Sequence, residues 1–140
     1  MRRYLLDTGP LSAFLFNRPA VLSLVSPWIR QREAASSILV HGEVVEYLHS
    51  FPDFHHRHAQ LRTLMREITP HFLTYRIVER YAQLRRQMRR PHGTGLVGDV
   101  DTLIAATALE RDLTVVTMDE DYRRIPGLKV MLLPRRQNPP

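Results

Sequence analysis

With 140 residues, 44% of them hydrophobic and 24% charged, the chain supports one compact domain with its own core, which excludes a mostly disordered or fibrous protein. It has no cysteine, which removes disulfide scaffolds, thiol nucleophiles and thiolate-held zinc or iron–sulfur centres together, so any chemistry must run on oxygen and nitrogen. Lys plus Arg number 20 against 14 acids, a formal net charge of +6, and no stretch approaches the roughly 18 apolar residues of a membrane span. A cytoplasmic protein with no membrane segment and a polyanionic or acidic partner is therefore expected.

Residues 3–6 are a short apolar run stopped by Asp7-Thr8-Gly9-Pro10, which reads as a buried strand ending in a turn. Pro10 is placed to open a helix through Leu15, and residues 20–30 form a second, with Val21, Leu24, Val25 and Trp28 on one face. A brief strand is expected at 34–37, then a helix with a stripe of Leu39 or Val40, Val44, Tyr47 and Leu48 that also carries Glu43 and Glu46. Residues 50–59 read as a loop and 58–67 as a helix. After Pro70 a strand is expected at 72–75, then a helix with Ile77, Tyr81, Leu84 and Met88 on its apolar face and arginines on the others. That helix ends at Pro91 and two glycines. The stretch DTLIAATALERD opens a last helix with Asp99 or Asp101 suited to its N-cap and alanines that allow close approach to a sheet. Strands at 113–117 and 130–133 complete the pattern. The alternation points to a single α/β domain over residues 1–133, with a mainly parallel sheet sandwiched by helices and a Pro- and Arg-rich tail, 134–140, expected to be disordered.

Five of the seven aspartates fall at three places, each at an expected strand end or helix start: Asp7, Asp99 with Asp101, and Asp119 with Asp121. The C-terminal ends of parallel strands share one rim, so Asp7 and Asp119 can converge there, with Asp99 or Asp101 and Glu43 joining them. Clustered carboxylates raise one another's pKa unless a cation lies among them, and an all-oxygen donor set selects Mg²⁺ or Mn²⁺ over zinc. Taken singly, each aspartate also suits a turn or a cap. Their joint placement points to a site, and spacing alone leaves Asp99 and Asp101 as alternatives. Asp53, Asp112, Glu120 and Asp121 read as turn or surface residues.

Two other signals lose to their context. Asp7-Thr8-Gly9 also occurs in dimeric aspartic peptidases, but that fold is all-β and the periodicity here is largely helical. His55, His56 and His58 lack the one-faced i, i+4 spacing of helical zinc sites and read as a solvated loop.

Four stretches, taken together, resemble a known family. YLLDTGPL with Asp7, SSILVHGEV with Glu43, DTLIAATAL with Asp101 and LTVVTMDEDYRRIPGLKV with Thr117 and Asp119 resemble, in order and separation over residues 4–133, the PIN-domain nucleases. Within them the chain is similar to the VapC-type toxins of toxin–antitoxin modules. The resemblance implies a Rossmann-like α/β sandwich in which Asp7, Glu43, Asp101 and Asp119 hold one or two Mg²⁺ or Mn²⁺ ions, with Thr8 and Thr117 as supporting hydroxyls. It implies RNA endonuclease activity through a metal-activated water, leaving 5′-phosphate and 3′-hydroxyl ends. Asp99 beside Asp101, and the three acids of TMDED, depart from the family's usual pattern at those two places. The resemblance also implies a tRNA, rRNA or mRNA substrate, a homodimer, and a VapB-like antitoxin for which the helices at 20–30 and 61–68 offer apolar grooves. Arg85, Arg86, Arg89 and Arg90 are then the candidates for gripping RNA phosphates, against the alternative of an ordinary solvated helix face. Two other functions stay open on the sequence: a non-catalytic RNA-binding module of the same fold, and a metal-dependent DNA nuclease.

Overall fold

The computed structural model describes residues 1–135. Its frame is a five-stranded sheet in the order β3-β2-β1-β4-β5, built from β1 (Tyr4–Leu6), β2 (Ala34–Ser37), β3 (Pro70–His71), β4 (Thr114–Thr117) and β5 (Val130–Leu132). Every pairing is parallel, so the sheet is wholly rather than mainly parallel. β1 is the central strand, aligning Tyr4 and Leu5 with Ala34 and Ala35 on one side and with Thr114 and Val115 on the other. Leu5, Leu6, Ala34, Ala35, Val115 and Val116 are fully buried, as expected of strands covered on both faces.

Six helices fill the connections: α1 (Thr8–Leu15), α2 (Pro19–Arg30), α3 (Ile38–Leu48), α4 (Phe54–Ile68), α5 (Tyr75–Met88) and α6 (Asp99–Arg111). α2 begins at Pro19, where the missing N–H costs nothing. The Ser37 hydroxyl caps α3 by accepting from the Leu39 N–H at 3.1 Å, and Thr74 caps α5 by accepting from Ile77 N–H at 3.2 Å. On α6, Ala105, Ala106 and Ala108 are fully buried, which is the close approach to the sheet that small side chains permit. A short 3₁₀ turn, Glu120–Arg124, follows β4.

Three sequence expectations are corrected. Residues 54–58 are not loop, because α4 starts at Phe54 and carries His55, His56 and His58. There Phe54 stacks on His49 at 3.8 Å, and Arg57 pairs with Asp53 at 3.0 Å one turn back. No strand runs over 72–75: β3 ends at His71, Phe72 and Leu73 are exposed, and Thr74 already caps the next helix. Neither Asp99 nor Asp101 is an N-cap. Gly98 takes that position, and both aspartates lie in the first turn, where their charge faces the positive end of the helix. Of the tail expected at 134–140, residues 136–140 lie outside the described residues.

Leu5→Ala empties the centre of the sheet and is expected to lower the unfolding free energy by about 2–5 kcal/mol. Tyr75→Ala, at a side chain 91% exposed, should stay within about 0.5 kcal/mol of the parent. Urea unfolding followed by circular dichroism measures both.

Candidate active site

Strand polarity assembles the site. Asp7 follows β1 directly, Ser37 ends β2, and Thr117 ends β4 with Asp119 two residues on, so one rim of the sheet collects all of them. The Asp7 N–H still donates to the Val116 carbonyl at 2.9 Å, which continues the ladder by one step and fixes where its side chain emerges.

Asp7 is only 7% exposed. Its Oδ2 accepts from the Thr117 hydroxyl at 2.7 Å, and its Oδ1 lies 3.2 Å from the Tyr122 hydroxyl. The same Tyr122 oxygen is 3.1 Å from Asp101 Oδ1. A phenol has one proton to donate, so Tyr122 spans two carboxylates with a single hydrogen. Thr8 donates to Glu43 Oε1 at 2.6 Å, tying the first turn of α1 to α3. The Asp119 N–H donates to Thr117 Oγ1 at 3.0 Å, while Asp119 Oδ1 accepts from the Asp121 N–H at 2.9 Å. Asp7 and Asp119 line one open cavity of about 380 Å³ together with Gly9, Met118, Arg18 and Arg135. A Cβ on Gly9 would come to 3.1 Å from Met118 Sδ, which the flexible thioether would have to ease by a few tenths of an ångström.

The electrostatics follow from this crowding. Burial raises the pKa of Asp7 and the Glu43 charge adds to the rise, against hydrogen bonds from Thr117, the Thr8 N–H and Tyr122. Asp101 is pushed up to about 6, first by desolvation and then by the Asp7 charge, with Asp119 and Glu43 adding to it. Burial and the two neighbouring carboxylates hold Tyr122 far above the usual phenol range, so it stays a neutral donor.

Of the residues expected in the site, Asp7, Glu43, Asp101, Asp119, Thr8 and Thr117 come together. Asp99 is directed elsewhere. Its Oδ1 accepts from the Arg85 guanidinium and from Tyr81 Oη, the latter at 3.0 Å. Arg85 is therefore occupied by an ion pair, while Arg86 and Arg89 are exposed and carry no ion pair among the described residues. Arg90 is exposed, and its Nε donates to the Thr94 carbonyl at 3.2 Å. Tyr122 was not singled out in the sequence. Its position three residues after Asp119 is its one sequence signal, and only burial reveals its part.

By chemistry the carboxylate oxygens suit a hard divalent cation, and hydroxyl donors meet part of their charge in the protein itself. Among the described residues no three acid or imidazole side chains are placed so that they could hold a metal ion together. The side chains are instead held by Thr8, Thr117 and Tyr122.

The pKa of Asp101 carries a sign. A carboxyl whose folded-state pKa lies above its unfolded value binds protons more readily when folded, so its contribution to stability falls as pH rises from about 4 through about 6. In EDTA, Asp101→Asn is expected to raise Tm at pH 7.5 by roughly 2–4 °C, corresponding to about 1 kcal/mol after allowance for solvent screening. At pH 4 the variant should match the parent. Thermal melts at the two pH values measure the difference.

A family model described as PIN domain matches residues 4–128. No curated protein sequence matches the chain. Solved structures similar in fold include a DNA-bound VapBC from Salmonella typhimurium, with a TM-score of 0.82 at 20% identity over 94% of this chain and 98% of that one. VapBC2 from Rickettsia felis, bound to a DNA fragment from its promoter, has a TM-score of 0.81 at 18% identity over 93% and 98%. FitAcB from Neisseria gonorrhoeae has a TM-score of 0.78 at 21% identity over 91% and 95%.

Proposed function

The chain belongs to the PIN-domain family, and on that premise we propose that it is a divalent-metal-dependent endoribonuclease of the VapC type, the toxin of a toxin–antitoxin pair. The observation that carries this is the meeting of Asp7, Asp101, Asp119 and Glu43 on one rim, with burial and mutual repulsion raising the pKa of Asp7 and Asp101. Such an arrangement is costly for a protein with no cation to place there.

Asp7, Glu43, Asp101 and Asp119 would hold Mg²⁺ or Mn²⁺. The bound ion supplies a water of lowered pKa and positive charge for the phosphorus oxygens of the scissile phosphodiester. Asp7 is kept rigid by Thr117 and Tyr122, and Glu43 by Thr8, so the oxygens are aimed before substrate arrives. Tyr122 is positioned to keep Asp7 and Asp101 apart from direct repulsion by offering its one proton between them. The chain has no need of the RNA 2′-hydroxyl as nucleophile, and products should end in 5′-phosphate and 3′-hydroxyl.

RNA of the tRNA, rRNA or mRNA class is the substrate, and Arg86, Arg89 and Arg90 are the exposed cations on and just after α5 available to its phosphates. Arg85 contributes by joining α5 to Asp99 rather than as a free phosphate contact. A VapB-like antitoxin belongs to the same reading, supported by the similarity in fold to VapBC complexes, and a homodimer belongs to it as what the family resemblance implies. An apolar cavity of about 390 Å³ between α1, α2 and α4, lined by Phe14, Leu15, Ile29 and Leu64, supports the antitoxin grooves expected on α2 and α4. No helix among the described residues is long and apolar enough to cross a membrane, and action in the cytoplasm fits an RNA target.

The purified chain is expected to cut a mixture of tRNA and rRNA in Mg²⁺ or Mn²⁺, and to stop both in EDTA and on Asp7→Asn. Persistence of cleavage in either control overturns the mechanism, as does a cyclic phosphate at the product ends. Thr117→Ala keeps every carboxylate and should lose about 10–100-fold in activity or metal affinity, measured by initial rates against Mn²⁺ concentration.

A further inference from the structure

A cavity of about 580 Å³ opens beside the acidic one and shares Gly9, Arg18 and Met118 with it. Its size falls within the roughly 300–1,000 Å³ of small-ligand pockets. Two helices carry side-chain rows from the carboxylates into it. On α1, Thr8 and Ser12 are followed at the same four-residue spacing by Phe16, which caps the helix's C-terminus, and on α3, Tyr47 follows Glu43 by four, so each row runs along one helix face.

Where the rows end, the lining becomes aromatic and cationic. Tyr47 meets Phe51 edge-on at 5.2 Å and Phe16 at 5.8 Å, and Phe16 lies 5.1 Å from Phe51. The Arg57 guanidinium sits 4.3 Å from the Phe16 ring centroid and 5.0 Å from that of Phe51, and Asp53 holds it at 3.0 Å. Tyr47 is nevertheless 47% exposed. A large, partly open aromatic cluster with a fixed guanidinium is poor core packing, but it matches a flat π-face that also presents hydrogen-bond acceptors at its edge. Tyr47 lies four residues, about 6 Å, from Glu43, which is the reach of one nucleotide, and Phe16 lies eight residues, about 12 Å, from Thr8. Arg18 lines both cavities, so a guanidinium stands between them where a phosphodiester would pass.

We propose that this cavity is a base-binding subsite, in which the nucleobase next to the scissile phosphate stacks on the half-exposed Tyr47 ring, with Phe16 edge-on beside it, and meets Arg57 at its edge. The proposal rests on the nuclease reading and adds to it the feature that selects the cleavage position. The subsite takes a base of single-stranded or unpaired RNA, because a stacked and paired base has no free face to offer.

The test uses a short oligoribonucleotide spanning a site the full chain cuts, with each nucleotide in turn made abasic. For the parent protein, one abasic position flanking the cut should lower kcat/KM by about tenfold. For Tyr47→Ala the intact RNA should already show that loss, and the same abasic position should cost almost nothing more. Tyr47→Phe, which keeps the ring, should behave as the parent, and Arg57→Ala should weaken the preference at the same position. Equal abasic losses in the parent and in Tyr47→Ala at every position would overturn the subsite, leave the nuclease reading standing, and assign the cavity to a side chain of a protein partner. A parent protein that cuts no RNA with Mg²⁺ or Mn²⁺ would overturn both.

Discussion

Asp7 is a carboxylate held 7% exposed at the end of the central strand of a wholly parallel sheet, and the surrounding rim is arranged around that one buried charge. A buried carboxylate is tolerated only with donors on its oxygens or a cation beside it. Thr117 and Tyr122 supply the donors, each from the chain that leaves the neighbouring strand β4. The same strand delivers Asp119, so the residues that make Asp7 tolerable and the residue that adds to its charge come from one stretch. Glu43 completes the rim from α3, and its tie to Thr8 links it to the helix that begins immediately after Asp7. Stability and site are thus coupled at a handful of hydrogen bonds rather than separated into core and surface.

The excess positive charge is distributed in a way that complements this acidic rim. Part of it is spent inside the fold: Arg76 and Arg80 both reach Glu110, at 3.4 and 2.9 Å, and Arg85 reaches Asp99. All three pairs join α5 to α6, which are already packed along their length. Exposed pairs of this kind add little stability each, so their larger effect is to orient α5 and to withdraw Asp99 from the rim. Other cations stay outside these pairs, among them Arg86 on α5, Arg89 and Arg90 just after it, and the half-buried Arg18 that lines both cavities. Under the proposed function such cations would draw a polyanion toward the surface, and a metal ion would offset the charge of the carboxylates it meets there.

The alternation of short apolar runs with helical stripes was legible in the sequence because strands buried on both faces and period-3.6 helix faces leave their mark on each segment separately. On that basis the strands at β1, β2, β4 and β5, most of the helices between them, Asp7 and Asp119 just past strand ends, and Glu43 within a helix could be read directly. Segments whose structure depends on distant partners were misread. Phe54 opens α4 through its stack on His49, and the run Phe72-Leu73 looked like a strand because apolarity says nothing about whether a neighbouring strand is present to pair with it.

The sequence by itself determined the fold class and pointed to candidate acids, since both are carried by local pattern and by the polarity of strands whose ends must share a rim. The choice between Asp99 and Asp101 was left to the tertiary structure, because residues two apart on a helix point about 200° from one another. The turn of α6 directs Asp99 to Arg85 and Asp101 to Tyr122. Tyr122 itself, and the aromatic and cationic lining of the cavity beside the acids, were equally invisible in the chain. Each exists only where segments far apart in sequence are brought within contact, which is information that no local periodicity holds.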